Sequence, residues 1–486
     1  MTGGIDNRPL YAILALALLL RVSAALWPNV HHPDEIFQYL EPAWRLLGHD
    51  GVVTWEWRYG MRGWLVPMLL APPLALGLAI DPAASLPFAL PRLLVALASL
   101  AIVGSAWSLG ARISRTHAIV AAFVTAIWFE LVYYAPHVLS EPLSAAAILP
   151  AAVLLTRNAP SRRALIVAGF LLGLGFVIRF QHAPAIAALL LATSWRAWTT
   201  RLLPVAAGGF AALAFGGLAD AAAGATPLAW LWVNVQQNLV HDRAADFGTA
   251  PPLYYLGELW AMWSVALVAM LIAIRAGWRH APALLWVAVA NLVFLSAIGH
   301  KEYRFVFLSV AILVLLAALG SASVLPWLRA RRLPALAIVL GGWAALSLTL
   351  GVTGKVPAQW RSGTDASALF AAVRTDPRAC GLALVDTPYF LYPGQVGLGA
   401  RTPQYLLLPG DPALGDLGRS LSASTPAFSH LLAEPMHAAI IPAAYRHRQC
   451  RTVEGMIVCL FVRPGPCAPR AAARFGVDVA LRRIDR

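Results

Sequence analysis

The sequence predicts an all-α polytopic membrane protein that carries a small C-terminal domain of a different kind. Three observations predict it. Of 486 residues, 59% are hydrophobic and only 12% are charged, and the mean hydropathy is +0.67. Apolar runs of roughly 18–22 residues, the length a bilayer core asks of a helix, recur along the first 351 positions. None of these runs alternates as a strand does, and lipid admits only helices or closed barrels.

Eleven spans are expected, near 10–27, 88–110, 117–134, 138–156, 163–178, 183–195, 202–220, 254–274, 281–298, 305–325 and 333–351. The first of them, "YAILALALLL" after Arg8, reads as a signal anchor because so many spans follow it. A further apolar stretch, 64–80, contains Pro67, Pro72 and Pro73, which argue against a regular helix there.

Charge decides whether 64–80 crosses. With a cytoplasmic N-terminus and no crossing, the loops bearing Arg112 and Arg115, Arg157, Arg162 and Arg163, Arg196 and Arg201, Arg275 and Arg279, and Arg329, Arg331 and Arg332 all face the cytoplasm. A crossing would put every one of them outside. The segment is therefore expected to be re-entrant, within a long first outer loop spanning 28–87. These arginines also explain the net charge of +14. Membrane lipid headgroups are their expected contacts, and nucleic acid is not.

Of the 14 Asp and Glu residues in 1–351, all but Asp6 then fall at the outer face. Acids contribute little to topology, so this skew marks the outer side as the working face.

Residues 352–486 change character. Turn-rich text such as "YPGQVGLGARTPQYLLLPGDP" alternates with short apolar runs, "GLALV" and "GMIVCLFV" among them. A small extracytoplasmic domain, α/β or mostly β, is expected there. It holds all four cysteines: Cys380, Cys450, Cys459 and Cys467. If Glu454-Gly455 forms a two-residue hairpin turn, Cys450 and Cys459 face each other within disulfide range. Four unlinked thiols are the other reading. The spacing is not that of paired zinc ligands.

Three polar groups stand out on the outer side. The first is "HHPDEIFQYLEPAWRLL", where His32, Asp34 and Glu35 open a helical stretch. Its acids either cap the helix or do chemistry, and Ile36, Tyr39 and Leu40 read as the apolar stripe of a helix lying on the membrane surface. The second is "HKEYRF", where Lys301 and Arg304 either snorkel to the interface or bind a lipid-linked phosphate. The third is scattered: "HVLSEP" with Glu141, where Ser140 reads as a helix cap, "RFQH" with Arg179, and "NVQQNLVHDR" with Asn234 and Asp242. A guanidinium such as that of Arg179 near the membrane requires an anion.

"HPDEIFQYLEPAWRL", "TWEWRYGMRGWLVP" and "HKEYRF" resemble signatures of glycosyltransferase family 22, the lipid-phosphate-mannose-dependent mannosyltransferases that include GPI-anchor and N-glycan-precursor enzymes. The resemblance covers residues 10–325. Where the family has Ile-Arg-Ser after "TWEW", this chain has Met61-Arg62-Gly63.

The resemblance implies a GT-C fold over 1–351. It also implies inverting transfer of mannose from a polyprenyl-phosphate donor to a glycan or glycolipid hydroxyl, without metal or other cofactor. Asp34 is the expected base, with Glu35 as second choice. Arg62, Arg179, Lys301 and Arg304 are expected to hold the donor phosphate, and His32, Trp55, Glu56, Glu141 and His300 to bind sugar or acceptor. The Ala- and Arg-rich composition points to a bacterial inner-membrane member. Two other readings are a GT-C enzyme moving another sugar and a polytopic transporter, which would place ionisable residues at the bilayer midplane and show internal repeats.

Overall fold

The computed structural model describes residues 7–81 and 85–484; Asp6, expected on the opposite face from the other acids, lies outside them. The chain forms two compact units. The first comprises Met1–Ala25, Gly63–Leu65 and Leu93–Pro357, and the second Leu26–Arg62, Val66–Arg92 and Ala358–Arg486.

Helices build the first unit. Among the described residues, four helices are long and apolar enough to cross a bilayer: Arg8–Leu26, Leu86–Ala111, Trp198–Ala222 and Tyr303–Ala330. Six result if each of two bent pairs makes one span. One pair replaces an expected straight span: Tyr254–Trp263 and the helical stretch from Ala266 meet at 106°, where Ser264 takes a left-handed φ of 49°. The expected span 117–134 is likewise two helices, Arg115–Ile127 and Phe129–Tyr134, separated by Trp128 at ψ 125°. Such breaks free carbonyls that lipid cannot satisfy. Arg21, fully buried, answers this one: its guanidinium donates to the carbonyls of Thr125 and Ala126 at 3.3 and 3.0 Å and to Ser99 Oγ at 2.8 Å.

Glycine lets the helices approach closely. A Cβ on Gly277 would lie 1.9 Å from the Leu316 carbonyl oxygen, and one on Gly320 would lie 1.8 Å from that of Ala273. Helices Ala266–Gly277 and Phe307–Ser321 thus touch backbone to backbone, the packing that small residues permit in membranes.

In the second unit, the proline-bearing stretch departs from expectation. Leu65–Ile80 is a single α-helix with Pro72 and Pro73 inside it. At 16 residues it is about 24 Å long, shorter than a bilayer core of about 30 Å.

Residues 382–462 supply a five-stranded mixed sheet of order β2-β1-β3-β5-β4. Strands β1 (Leu382–Val385), β2 (Gln404–Leu407) and β3 (His430–Ala433) are parallel and wholly buried, so β1 reads as a continuous apolar run, while β2 and β3 bury Gln404 and His430 at their starts. Strands β4 (Arg446–Val453) and β5 (Met456–Val462) form an antiparallel hairpin. Its turn is Glu454-Gly455, both at positive φ, and Cys450 pairs with Cys459 across it in a disulfide. Cys380 and Cys467 form a second disulfide.

The helix after "HPDE" also departs from expectation. Glu35–Leu40 winds as a π-helix and continues as α-helix Glu41–Leu46. Every residue from Glu35 to Trp44 is buried, Ile36, Tyr39 and Leu40 included. It is an interior helix of the second unit, and no apolar stripe is left for a membrane surface.

Replacing Gly320 by Ala is expected to force the two backbones apart and to destabilise the protein by about 1–3 kcal/mol, the range of an overpacked core. A lowered unfolding temperature in detergent, against an unchanged Gly341→Ala control whose Cβ meets nothing within 4 Å, checks this.

Candidate active site

The loop after the first helix brings its acids together within the second unit. Asp34 ends the turn before the π-helix. Its backbone N–H donates to His32 Nδ1 at 3.2 Å, and its carboxylate lies 3.5 Å from the same nitrogen. Glu35 faces inward: its Oε1 accepts the backbone N–H groups of His31 and His32 at 2.6 and 3.3 Å. The Asp34 side chain keeps 24% exposure, whereas Glu35 as a residue keeps 1%. The geometry thus separates two neighbouring carboxylates, one braced against backbone and one accessible. π-Helices of this kind recur at functional sites.

Thr54 precedes the short helix Trp55–Arg58, on which Trp55 is half-buried with its ring 6.1 Å from that of Tyr59. Glu56 on the same turn accepts from Arg62 Nη2 at 2.5 Å. Burial depresses the Arg62 guanidinium, yet Glu56, Tyr39 and Asp34 outweigh burial and raise its pKa above the ordinary arginine value. Arg62, expected at the donor phosphate, pairs with Glu56 and is influenced by Asp34.

The first unit assembles the other expected cations. Arg179 caps helix Arg162–Ile178, and Arg304 sits in the 3-10 turn Tyr303–Val306. Both reach Glu141 Oε1, at 3.0 and 3.4 Å, and Glu141 is fully buried. Both guanidiniums also stand over the Phe305 ring, 4.8 and 5.1 Å from its centroid. Glu141, expected among the sugar or acceptor ligands, joins two cations. Ser140 is no helix cap: its hydroxyl donates to Glu141 Oε2 and accepts from Arg179 Nη1. Arg179 Nε is buried and donates to nothing among the described residues.

Sequence reasoning missed Glu302. It grips Arg304 with both oxygens, at 2.8 and 3.0 Å, and receives His300 Nε2 at 3.1 Å. Its extended backbone (φ −132°, ψ 144°) turns Lys301 and Tyr303 to the opposite side. That alternation was the available signal. Lys301, expected at the donor phosphate, has an ammonium that donates to the carbonyls of Ala250, Ile298 and Gly299. Tyr303 donates to Glu130, a second missed acid, which also accepts the indole N–H groups of Trp128 and Trp263 at 2.7 Å each.

Two outcomes are expected. Glu141→Gln leaves two buried guanidiniums short of countercharge and should destabilise the protein by about 3–5 kcal/mol, read as thermal unfolding. The hydrogen bond from Glu302 raises the His300 pKa above the ordinary histidine value. The stability this contributes is complete below the ordinary value and is lost as pH rises through the raised one. His300→Gln should flatten unfolding temperature against pH in that window and leave it unchanged at pH 9.

The sequence profile of the Alg9-like mannosyltransferase family matches residues 12–366. GPI mannosyltransferase 3 of Yarrowia lipolytica is 30% identical over 328 residues, 63% of this chain and 62% of its own length. Mannosyltransferase APTG1 of Arabidopsis thaliana is 39% identical over 69 residues, 14% of this chain and 13% of its own. This chain thus spans less than two thirds of the length of these curated relatives. Among solved structures, ArnT from Cupriavidus metallidurans bound to undecaprenyl phosphate superposes with a TM-score of 0.60, covering 96% of this chain and 100% of that one, at 14% identity. At that identity the likeness is one of fold. With its profile running through both the "HPDE" loop and the Glu141–Arg304 cluster, the chain belongs to the Alg9-like mannosyltransferase family, glycosyltransferase family 22.

Proposed function

We propose that the protein transfers mannose, with inversion, from a polyprenyl-phosphate donor to a hydroxyl of a glycan or glycolipid. The observation that carries this reading is the buried pair Arg179 and Arg304 sharing Glu141, in a chain of this family. Fixed guanidiniums beside an apolar ring suit a phosphate that gains charge as the sugar leaves it. Glu141 and Glu302 hold them in place before the donor arrives, so little reorganisation accompanies the reaction. The ArnT structure carries an undecaprenyl phosphate, a ligand of the same chemical kind.

Asp34 acts as the base. The acceptor hydroxyl attacks C1 of mannose, its proton passes to the Asp34 carboxylate, and the C1–O bond to phosphate breaks. Glu35, committed to the backbone of His31 and His32, braces the turn. Arg62, paired with Glu56, lies close enough to Asp34 for the two charges to act on each other.

The working face is the outer one. The arginine loops place it there by the positive-inside rule, with eleven spans and a re-entrant Leu65–Ile80 helix. Two disulfides in the second unit agree with an oxidising compartment, and an inner membrane of bacterial type fits the composition.

Purified protein is expected to release polyprenyl phosphate from polyprenyl-phosphate mannose when given an acceptor glycolipid. Asp34→Asn should lower kcat by roughly 10²–10⁴-fold, the contribution of a general base. Arg304→Met should chiefly raise the donor KM. Full activity in Asp34→Asn removes Asp34 as base. Transfer from another polyprenyl-phosphate sugar, and none from mannose, replaces the sugar.

A further inference from the structure

The first loop is tied to the C-terminal sheet domain by a buried carboxylate that the reaction just described does not use. Glu41 follows the π-helix bearing Glu35 and is completely buried. Its Oε2 accepts the backbone N–H of Val52 at 2.6 Å, and its Oε1 accepts that of Val396 at 2.7 Å. One side chain thus joins the π-helix, the strand-like run leading to Glu56, and the short helix Gly394–Leu398 of the sheet domain.

Two glycines make room for it. A Cβ on Gly51 would lie 2.7 Å from Oε2, and a Cβ on Gly394 would lie 2.4 Å from Oε1. Gly394 also sits at φ 64°, a left-handed conformation that suits glycine. Neither position tolerates a side chain while the carboxylate stays where it is.

Other ties run in parallel, all inside the second unit. The Val30 N–H donates to the Ser362 carbonyl at 3.0 Å. The Val53 N–H donates to Asp478 at 3.2 Å, and Arg58 donates to the Leu481 carbonyl at 2.8 Å. Phe37 meets the Tyr389 ring edge-on at 5.5 Å. Of all these ties Glu41 alone is an ionisable side chain accepting at both ends.

We propose that Glu41 is a positioning residue: it fastens the Asp34-bearing turn to the sheet domain and thereby sets the geometry in which Asp34 takes a proton. The proposal rests on Asp34 being the base of the proposed transfer. The sheet domain is then a structural part of the active site, although it supplies no reacting group.

Charge adds a consequence. Burial pushes the Glu41 carboxyl up to about 7, against the N–H groups of Val396, Val52 and Gln395, which pull it down. Asp478, on the helix Val477–Ile484, raises it further. The other elements around it add no charged contact: Gly394–Leu398 has no ionisable side chain, and Arg45, one turn along, is exposed. The folded chain thus holds this proton more tightly than the unfolded one. Stability from it is complete below the usual 4.5 and is lost as pH rises through about 7. The two-ended tie behaves oppositely, because only the carboxylate is acceptor-only at both oxygens.

The test uses the purified full-length chain with polyprenyl-phosphate mannose and acceptor. Glu41→Gln sets an amide N–H against one of the two backbone N–H groups. It should lower kcat on the order of 10- to 100-fold, the effect of a small misplacement of reacting groups, with the donor KM unchanged. Wild-type kcat should rise through about pH 7 and Glu41→Gln should lack that rise, and amide deuterium exchange across residues 30–58 should quicken in the substrate-free variant. Gly51→Ala, which displaces the carboxylate without removing it, should shift kcat and exchange the same way, and it carries the test if Glu41→Gln does not fold. Wild-type kcat, pH profile and exchange in Glu41→Gln overturn the proposal. Because exchange is read without substrate, it judges Glu41 even if Asp34→Asn retains activity and the proposed transfer fails.

Discussion

A guanidinium buried in an apolar chain must find acceptors, and much of this structure is arranged around that constraint. Arg21 takes the carbonyls freed by a helix break, and Arg92 takes the Trp27 carbonyl and the Asn29 side chain. Arg179 and Arg304 take Glu141 and, for Arg304, Glu302. The desolvation of such a group is severe enough that its partners are fixed along with it. The first two pairings stabilise helix ends. The third joins two guanidiniums through one carboxylate, and the buried Arg179 Nε donates to nothing among the described residues.

The same constraint explains why Glu141 and Glu302 stand among the guanidiniums proposed to meet a phosphate, although they carry the wrong charge for one. They hold the guanidiniums at fixed positions and balance their charge. A fully uncompensated pair of arginines would repel each other in low dielectric. The bracing acids are therefore a condition of having two arginines there at all.

Legibility in the sequence followed the range of the interactions. The Cys450–Cys459 bridge was readable because a two-residue turn dictates the pairing of residues a few positions away. The "HPDE" and "HKEYRF" blocks were readable because ionisable residues in an apolar chain are scarce. Within "HKEYRF" the bidentate grip of Glu302 on Arg304 was not legible, since charge sign draws attention to the cations and backbone conformation decides which neighbour pairs with them. The helix Leu65–Ile80 formed despite its prolines. Glu41 was invisible because its partners are backbone N–H groups, one of them 355 residues away. A main-chain donor has no signature in a sequence.

The separation between the two ends of the second unit bears on how the protein is made. Arg58 bonds a carbonyl 423 residues downstream, and Glu41 closes on Val396. At ribosomal rates of about 5–20 residues per second, the first loop waits on the order of half a minute for the segments that order it. By then the membrane helices between have been synthesised. The loop bearing Asp34 is thus synthesised well before the segments that order it, and its acidic turn is finished only once they exist.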